Sequence, residues 1–228
     1  MKILIPNNQS YTPKRRIIEP VIGLDRPEPK NLEKGQYVTI KCRTEPGNVS
    51  SPTYDIHVPI FKTGTAEEYL NWRKNLGKAI IGQNCTTAQS MFAMARRLLD
   101  GDALAAFDTT ALTLEGETAE GFQHVINELT AHVFPDKAAQ QQKRYMRRAL
   151  RKPVGMPVKE LVTRVVEMNE LLPFFPPHPN SNQPIVKFEQ DELLDILEFT
   201  SPSKWKHQMI LHDFHPVTIS LEEFVPFC

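Results

Sequence analysis

The stretch "KRYMRRALRKPVGMPVKELVTRVVEMNELL", residues 143–172, decides how this chain is read. Its first ten residues hold six Lys or Arg side chains: Lys143, Arg144, Arg147, Arg148, Arg151 and Lys152. At about 100° per residue these bases fill an arc from about 0° to about 180°, while Tyr145, Met146, Ala149 and Leu150 fill about 200° to about 340°. That partition predicts an amphipathic helix with one buried face. Pro153, Gly155 and Pro157 then break the chain, and helical periodicity resumes in "VKELVTRVVEMNELL". A helix, a break at Pro153 and a second helix are expected.

The basic arc has two readings. It is either the solvated face of an ordinary helix or a surface for a polyanion. It carries more bases than neighbouring helices and lacks i,i+4 acids to pair with them. Such a face contacts phosphates and confers little sequence preference. No interleaved exposed aromatics are expected beside it for base stacking.

Working upstream, "FQHVINELTAHVFP" places Phe122, Val125, Ile126, Leu129 and Val133 on one helical face after Thr118, and Pro135-Asp136 ends it and caps the basic helix. "DALAAFDTTAL" and "AQSMFAMARRLL" read as two earlier helices, the latter beginning at Thr86 or Thr87. Thr65 with Glu68 forms a capping box for a first helix whose stripe includes Tyr69, Leu70, Trp72 and Leu76. Before it the period falls to two. "QYVTIKCR" and "YDIHVPIF", joined by turn-rich "TEPGNVSSP", predict a long-looped β-hairpin with Pro59 marking an edge. Residues 1–35, rich in Pro, Lys and Arg and without period, read as an extended arm.

Downstream, "PFFPPHPNSNQP" is a proline-rich connection to "EQDELLDILEF". "SPSKWKHQMILHDF" follows, with Ser201 as cap and Pro202 in the first turn. Ser220 caps a last helix that has barely begun when the sequence stops, so the chain reads as part of something longer.

Across 228 residues, 40% hydrophobic and 24% charged, the composition is globular. Acids and bases balance to zero, which argues against coating nucleic acid along the whole length. The balance is local: bases dominate residues 136–164 and acids dominate 167–198, where Lys187 is the lone base. Such a chain binds copies of itself, or holds a polyanion on one side. Three scattered cysteines, Cys42, Cys85 and Cys228, make no disulfide framework and suit a reducing compartment. The first ten residues, broken by Pro6, are neither signal peptide nor anchor, and no apolar run nears the ~20 residues of a membrane helix. A soluble, intracellular protein is expected.

Little in the sequence reads as catalysis. Phe107 to Ala111 holds an Asp-Thr pair, but Thr110 stands where an aspartic-protease turn needs Gly, and the segment is helical. His207, His212 and His215 lie near Asp213, yet His207 and His212 sit about 140° apart on a helix and do not converge on a metal. "GKAIIGQN" lacks the glycine spacing and the Lys-Ser/Thr of a phosphate loop. Neither an enzyme nor a cofactor is expected.

The order and spacing of these segments resemble the capsid region of the Gag polyprotein of long-terminal-repeat retrotransposons. The elements are "AEEYLNWRKNL", then Leu99, Gly101 and Ala103 of an L-x-G-x-A element, then "FQHVINELTAHVFP" and the basic helix. "RKPVGMPVKELVTR" follows, and Trp205 lies in the place of an L-P-x-x-W element in which Ser201 stands for the usual Leu. The resemblance covers roughly residues 54–228.

It implies a mainly α, two-lobed retroviral capsid-like fold. A five-helix N-terminal lobe (64–150) and a four-helix C-terminal lobe (151–228, last helix truncated) would follow the arm (1–35) and the hairpin (36–63). Met156 to Leu172 occupies the place of the major homology region, where Glu160 and Arg164 would pair at i,i+4; "KPVG" stands where that region usually opens with Gln-Gly. No zinc knuckle is present in this sequence. The implied function is a structural Gag protein that self-assembles into cytoplasmic virus-like particles around RNA. Its partners would be itself and sequence-tolerant RNA, with no membrane. RNA contact would fall on the six bases, and self-association on Trp205 and Met209. A domesticated helical adaptor, or an RNA-binding protein without a shell, is the alternative.

Overall fold

The computed structural model describes residues 18–27, 33–177, 184–214, 220–221 and 223–224. Two strands come first: β1 (Tyr37–Arg43) and β2 (Thr53–Pro59). They pair antiparallel from Tyr37 opposite Pro59 to Arg43 opposite Thr53. Ile40, Cys42 and Val58 are buried on one face, while Thr39, Lys41, Asp55 and His57 stay exposed on the other, as the period of two requires. Eight α-helices follow among the described residues. They are α1 (Ala66–Gly82), α2 (Ala88–Arg97), α3 (Gly101–Ala111), α4 (Ala119–Val133), α5 (Ala138–Arg148), α6 (Val158–Leu171), α7 (Gln190–Thr200) and α8 (Ser203–Leu211). A 3₁₀ turn, Leu172–Phe174, extends α6. The chain is therefore mainly α with one small hairpin.

Local chemistry sets most helix starts. Thr65 and Glu68 form the expected capping box of α1, with Thr65 N–H donating to Glu68 Oε2 at 2.7 Å. Thr87 caps α2 and Thr118 caps α4 through their hydroxyls. Two expected caps differ. Asp136 does not cap α5; Lys137 holds that position in the left-handed region (φ 62°) without a side-chain bond. That conformation costs about 1–2 kcal/mol for a residue with a Cβ, and the immediate burial of Ala138 and Ala139 offsets it. Ser201 does not cap α8 either. It is buried and its hydroxyl donates back to Leu197 O at 2.8 Å, closing the end of α7, so Pro202 precedes α8. Ser220 does form a reciprocal cap with Glu223, and Phe224 just after it is fully buried.

The hairpin lies against α1. Gly82 makes this approach possible, because a Cβ there would sit 2.5 Å from Cys42 Sγ. An aromatic group of Phe61, Tyr69, Trp72, Phe134 and Phe175 forms the centre, with ring centroids 5.2 to 6.0 Å apart. Its polar edges are satisfied: Trp72 Nε1 donates to Leu98 O at 2.8 Å, and Tyr69 Oη bonds Thr130 Oγ1 at 2.8 Å. Phe92, Phe107 and Phe122 make a second aromatic group under α2 to α4. Buried side chains from Ile22 to Phe224 belong to one hydrophobic cluster, which runs continuously past Pro153.

Part of the expected extended arm packs on the helices. Residues 18–27 are docked against α5 and α6, and Ile22 is only 2% exposed. Aperiodic sequence here reflects backbone recognition by distant side chains rather than solvation. Residues 1–17 and 28–32 lie outside the described residues. No helix is long and apolar enough to cross a membrane among the described residues.

Candidate functional site

The basic helix has the predicted polarity. Met146 and Leu150 are fully buried, Tyr145 and Ala149 partly so, and Arg144, Arg147, Arg148 and Arg151 are exposed. Its cations nevertheless divide into two stripes. Lys143, Arg147 and Arg151, spaced i, i+4, i+8, lean toward α7. Lys143 Nζ and the Arg147 guanidinium lie 5.0 and 4.8 Å from the Phe188 ring centroid, and Arg151 lies 4.1 Å from that of Phe199. Arg147 also pairs with Glu192. Burial, and then the neighbouring Arg147, push the Lys143 ammonium below its usual pKa, with Glu192 opposing. Each exposed cation–ring contact is worth about 0.5–1 kcal/mol, so this stripe fastens α5 to α7.

The second stripe is Arg144, Arg148 and Lys152. Arg144 and Arg148 are exposed and form no ion pair with any described residue. Lys152 Nζ lies 5.2 Å from the Trp205 ring, and Lys206 Nζ from α8 lies 5.4 Å from Phe199. Phe199 is 38% exposed and Trp205 is partly exposed. Aromatic rings therefore do interleave with the bases, contrary to expectation. They arrive from α7 and α8, far along the chain, and no local spacing around residue 147 announces them.

On α8, Trp205 and Met209 were expected to offer a self-association surface. Met209 is 3% exposed and lies in the core, so it is unavailable for that role. One position further round the helix, Ile210 and Leu211 stand 77% and 62% exposed. The apolar surface of this helix is thus displaced to the face opposite Met209 and Trp205.

Glu160 and Arg164 do not pair. Arg164 points into the molecule, 1% exposed, and makes a two-pronged contact with Glu67 of α1 at 2.6 and 2.7 Å. Its remaining N–H groups reach Gly23 O at 2.8 Å, Asp25 O at 3.2 Å and Glu167 at 3.4 Å. Glu160 stays at the surface, 3.8 Å from Arg26. An intrahelical pair would leave the buried guanidinium short of acceptors, and the fork geometry of Arg fits a carboxylate aimed from α1. Burial works against the charge of Arg164, but Glu67 outweighs it and its pKa stands above the usual value.

Beside this network an open groove of about 860 Å³ runs between α1 and α6. Phe61, Trp72, Val162, Val166 and Leu171 line it, with Arg26 and Pro27 along one wall. Elsewhere, Asp108 of the Asp-Thr pair is tied to Arg96 at 2.8 Å on α3. His207 and His212 are exposed on and just after α8, and His215 lies outside the described residues. Among the described residues no group of three or more His, Cys, Asp or Glu side chains converges.

No protein-family model, no curated protein and no solved structure matches this chain.

Proposed function

We propose that this chain is the capsid region of a retrotransposon-type Gag protein, a structural subunit that assembles into cytoplasmic particles around RNA. The observation that carries the reading is the order of elements. A hairpin and five helices precede the break at Pro153; three helices follow among the described residues, with a further turn begun at the Ser220–Glu223 cap. In this reading α1–α5 form the N-terminal lobe and α6 onward the C-terminal lobe. A shell needs repeated weak contacts rather than catalytic groups. Ile210 and Leu211 supply an exposed apolar pair for one such contact, on the face of α8 away from Trp205. The stripe of Arg144, Arg148 and Lys152 supplies the RNA-facing charge, and its phosphate contacts carry little sequence preference.

The contact on α8 is tested by light scattering across a concentration series. Wild-type chain should self-associate, and Ile210→Asp with Leu211→Asp should stay monomeric while keeping its helical circular dichroism. Undiminished association of the double variant would sink this surface as the contact.

The α1–α6 groove favours a second reading, a Gag-derived adaptor that binds a partner peptide without forming a shell. An apolar cleft of this volume is large enough for a few side chains. A chain that stays monomeric under all conditions yet captures a peptide in that groove would move this reading ahead.

A further inference from the structure

Residues 18–27, "IEPVIGLDRP", are held in a way that resembles a bound ligand more than a loop. The side chain of Gln142, wholly buried, accepts from Val21 N–H at 3.1 Å and Ile22 N–H at 2.9 Å. Its amide donates back to Ile22 O at 3.0 Å. Arg164 donates to Gly23 O and Asp25 O, and Gln141 to Glu19 O at 2.9 Å. Apart from these backbone contacts, Val21 and Leu24 pack partly buried against the core, and two further side chains anchor the segment. Ile22 enters the core, and Arg26 forks onto Glu167 with two bonds of 3.0 Å.

We propose that the slot between α5 and α6 is a peptide-binding site for an extended segment with an aliphatic residue followed four positions later by Arg. Residues 18–27 are its resident ligand, and the same segment of a second copy exchanges into it. Three observations carry this. Recognition runs mainly through backbone atoms, so the slot reads an extended chain wherever it comes from. Buried Gln142 spends its amide on the segment, and buried Arg164 gives the segment the N–H groups that Glu67 and Glu167 do not take. An empty slot would therefore leave them short of partners, and occupancy by either copy is favoured. Finally, residues 28–36 separate Pro27 from Tyr37. Residues 33–36 fold as a turn tied to Ile60, which leaves residues 28–32 with a maximum reach of roughly 20 Å at ~3.3–3.6 Å per residue; exchange of an identical element is a low-cost route to association. The claim stands without the shell reading, because it concerns a slot in the monomer.

The test uses the full chain carrying Ile22→Asp and Arg26→Glu, which spoils the segment and leaves the slot. A fluorescein-labelled peptide of residues 18–27 should bind this variant saturably in an anisotropy titration, and wild-type chain at least tenfold more weakly because its slot is filled. A peptide carrying the same two changes should not bind. Mixing the variant with a Gln142→Ala chain, whose segment is intact and slot spoiled, should give a heterodimer by light scattering. Failure of the peptide to bind a variant of wild-type helicity overturns the site, and monomers only on mixing overturn the exchange. If the double variant loses its helicity, Arg26→Glu alone, on a side chain 41% exposed, must bind the peptide more tightly than wild type. Equal binding then overturns the site too.

Discussion

Arg164 concentrates the energetics of this molecule at one residue. A guanidinium 1% exposed costs several kcal/mol to bury, and Glu67 together with the carbonyls of Gly23 and Asp25 offsets that cost. Removing one partner of such a pair leaves a bare charge inside, so Glu67→Ala should destabilise the fold by about 3–5 kcal/mol, read as a lower urea midpoint. A loss below about 1 kcal/mol, the range of exposed pairs, would contradict the buried contact. Tyr69 gives a second check. Burial raises its phenol to about 12, with Thr130 and Arg73 pulling the other way. The folded value lies above the unfolded one, so the neutral phenol contributes stability that is fully present below about pH 10. That contribution is lost as pH rises toward about 12. The difference in phenolate absorbance between wild type and Tyr69→Phe should show Tyr69 ionising only near or after unfolding; its ionisation in the folded chain in the ordinary tyrosine range would refute its burial. The importance of residue 164 was legible in the sequence, but its partner was not. An i,i+4 carboxylate is visible locally, whereas Glu67 lies on another helix and Gly23 contributes only a backbone oxygen.

At the scale of elements, the angular partition of residues 143–152 specified both the helix α5 and its buried Met146 and Leu150. It could not say that half the basic arc lies on the rings of Phe188 and Phe199. Those contacts link the predicted basic face to the acidic helix α7, so the free charge is smaller than a residue count suggests. Arg144→Glu with Arg148→Glu should therefore weaken single-stranded RNA binding and flatten its salt dependence by about 0.7 in log–log slope per lost phosphate contact, measured by anisotropy at several salt concentrations. Arg147→Glu should act differently, lowering thermal stability by breaking the contacts with Glu192 and Phe188. Unchanged RNA affinity and slope in the Arg144/Arg148 variant would remove α5 from the RNA surface. On α8 the same limit appears. Met209 and Ile210 are adjacent and both apolar, and only the packing of α8 on its neighbours selects which one turns inward.

For the whole molecule, periodicity sufficed for the hairpin, the helices and the break at Pro153, because those features are written in local spacing. The docking of residues 18–27 was illegible for the opposite reason: an aperiodic segment carries no spacing, and its partners Gln142 and Arg164 lie far away in sequence. That segment ties α5 and α6 together and, through Arg164, to Glu67 on α1, so helices on both sides of Pro153 share one core. In the proposed function such molecules build a closed shell. Negative-stain electron microscopy of the purified chain at raised salt tests it most directly. Closed particles or curved lattices of uniform spacing are predicted; only monomers across salt and protein concentration would contradict the claim.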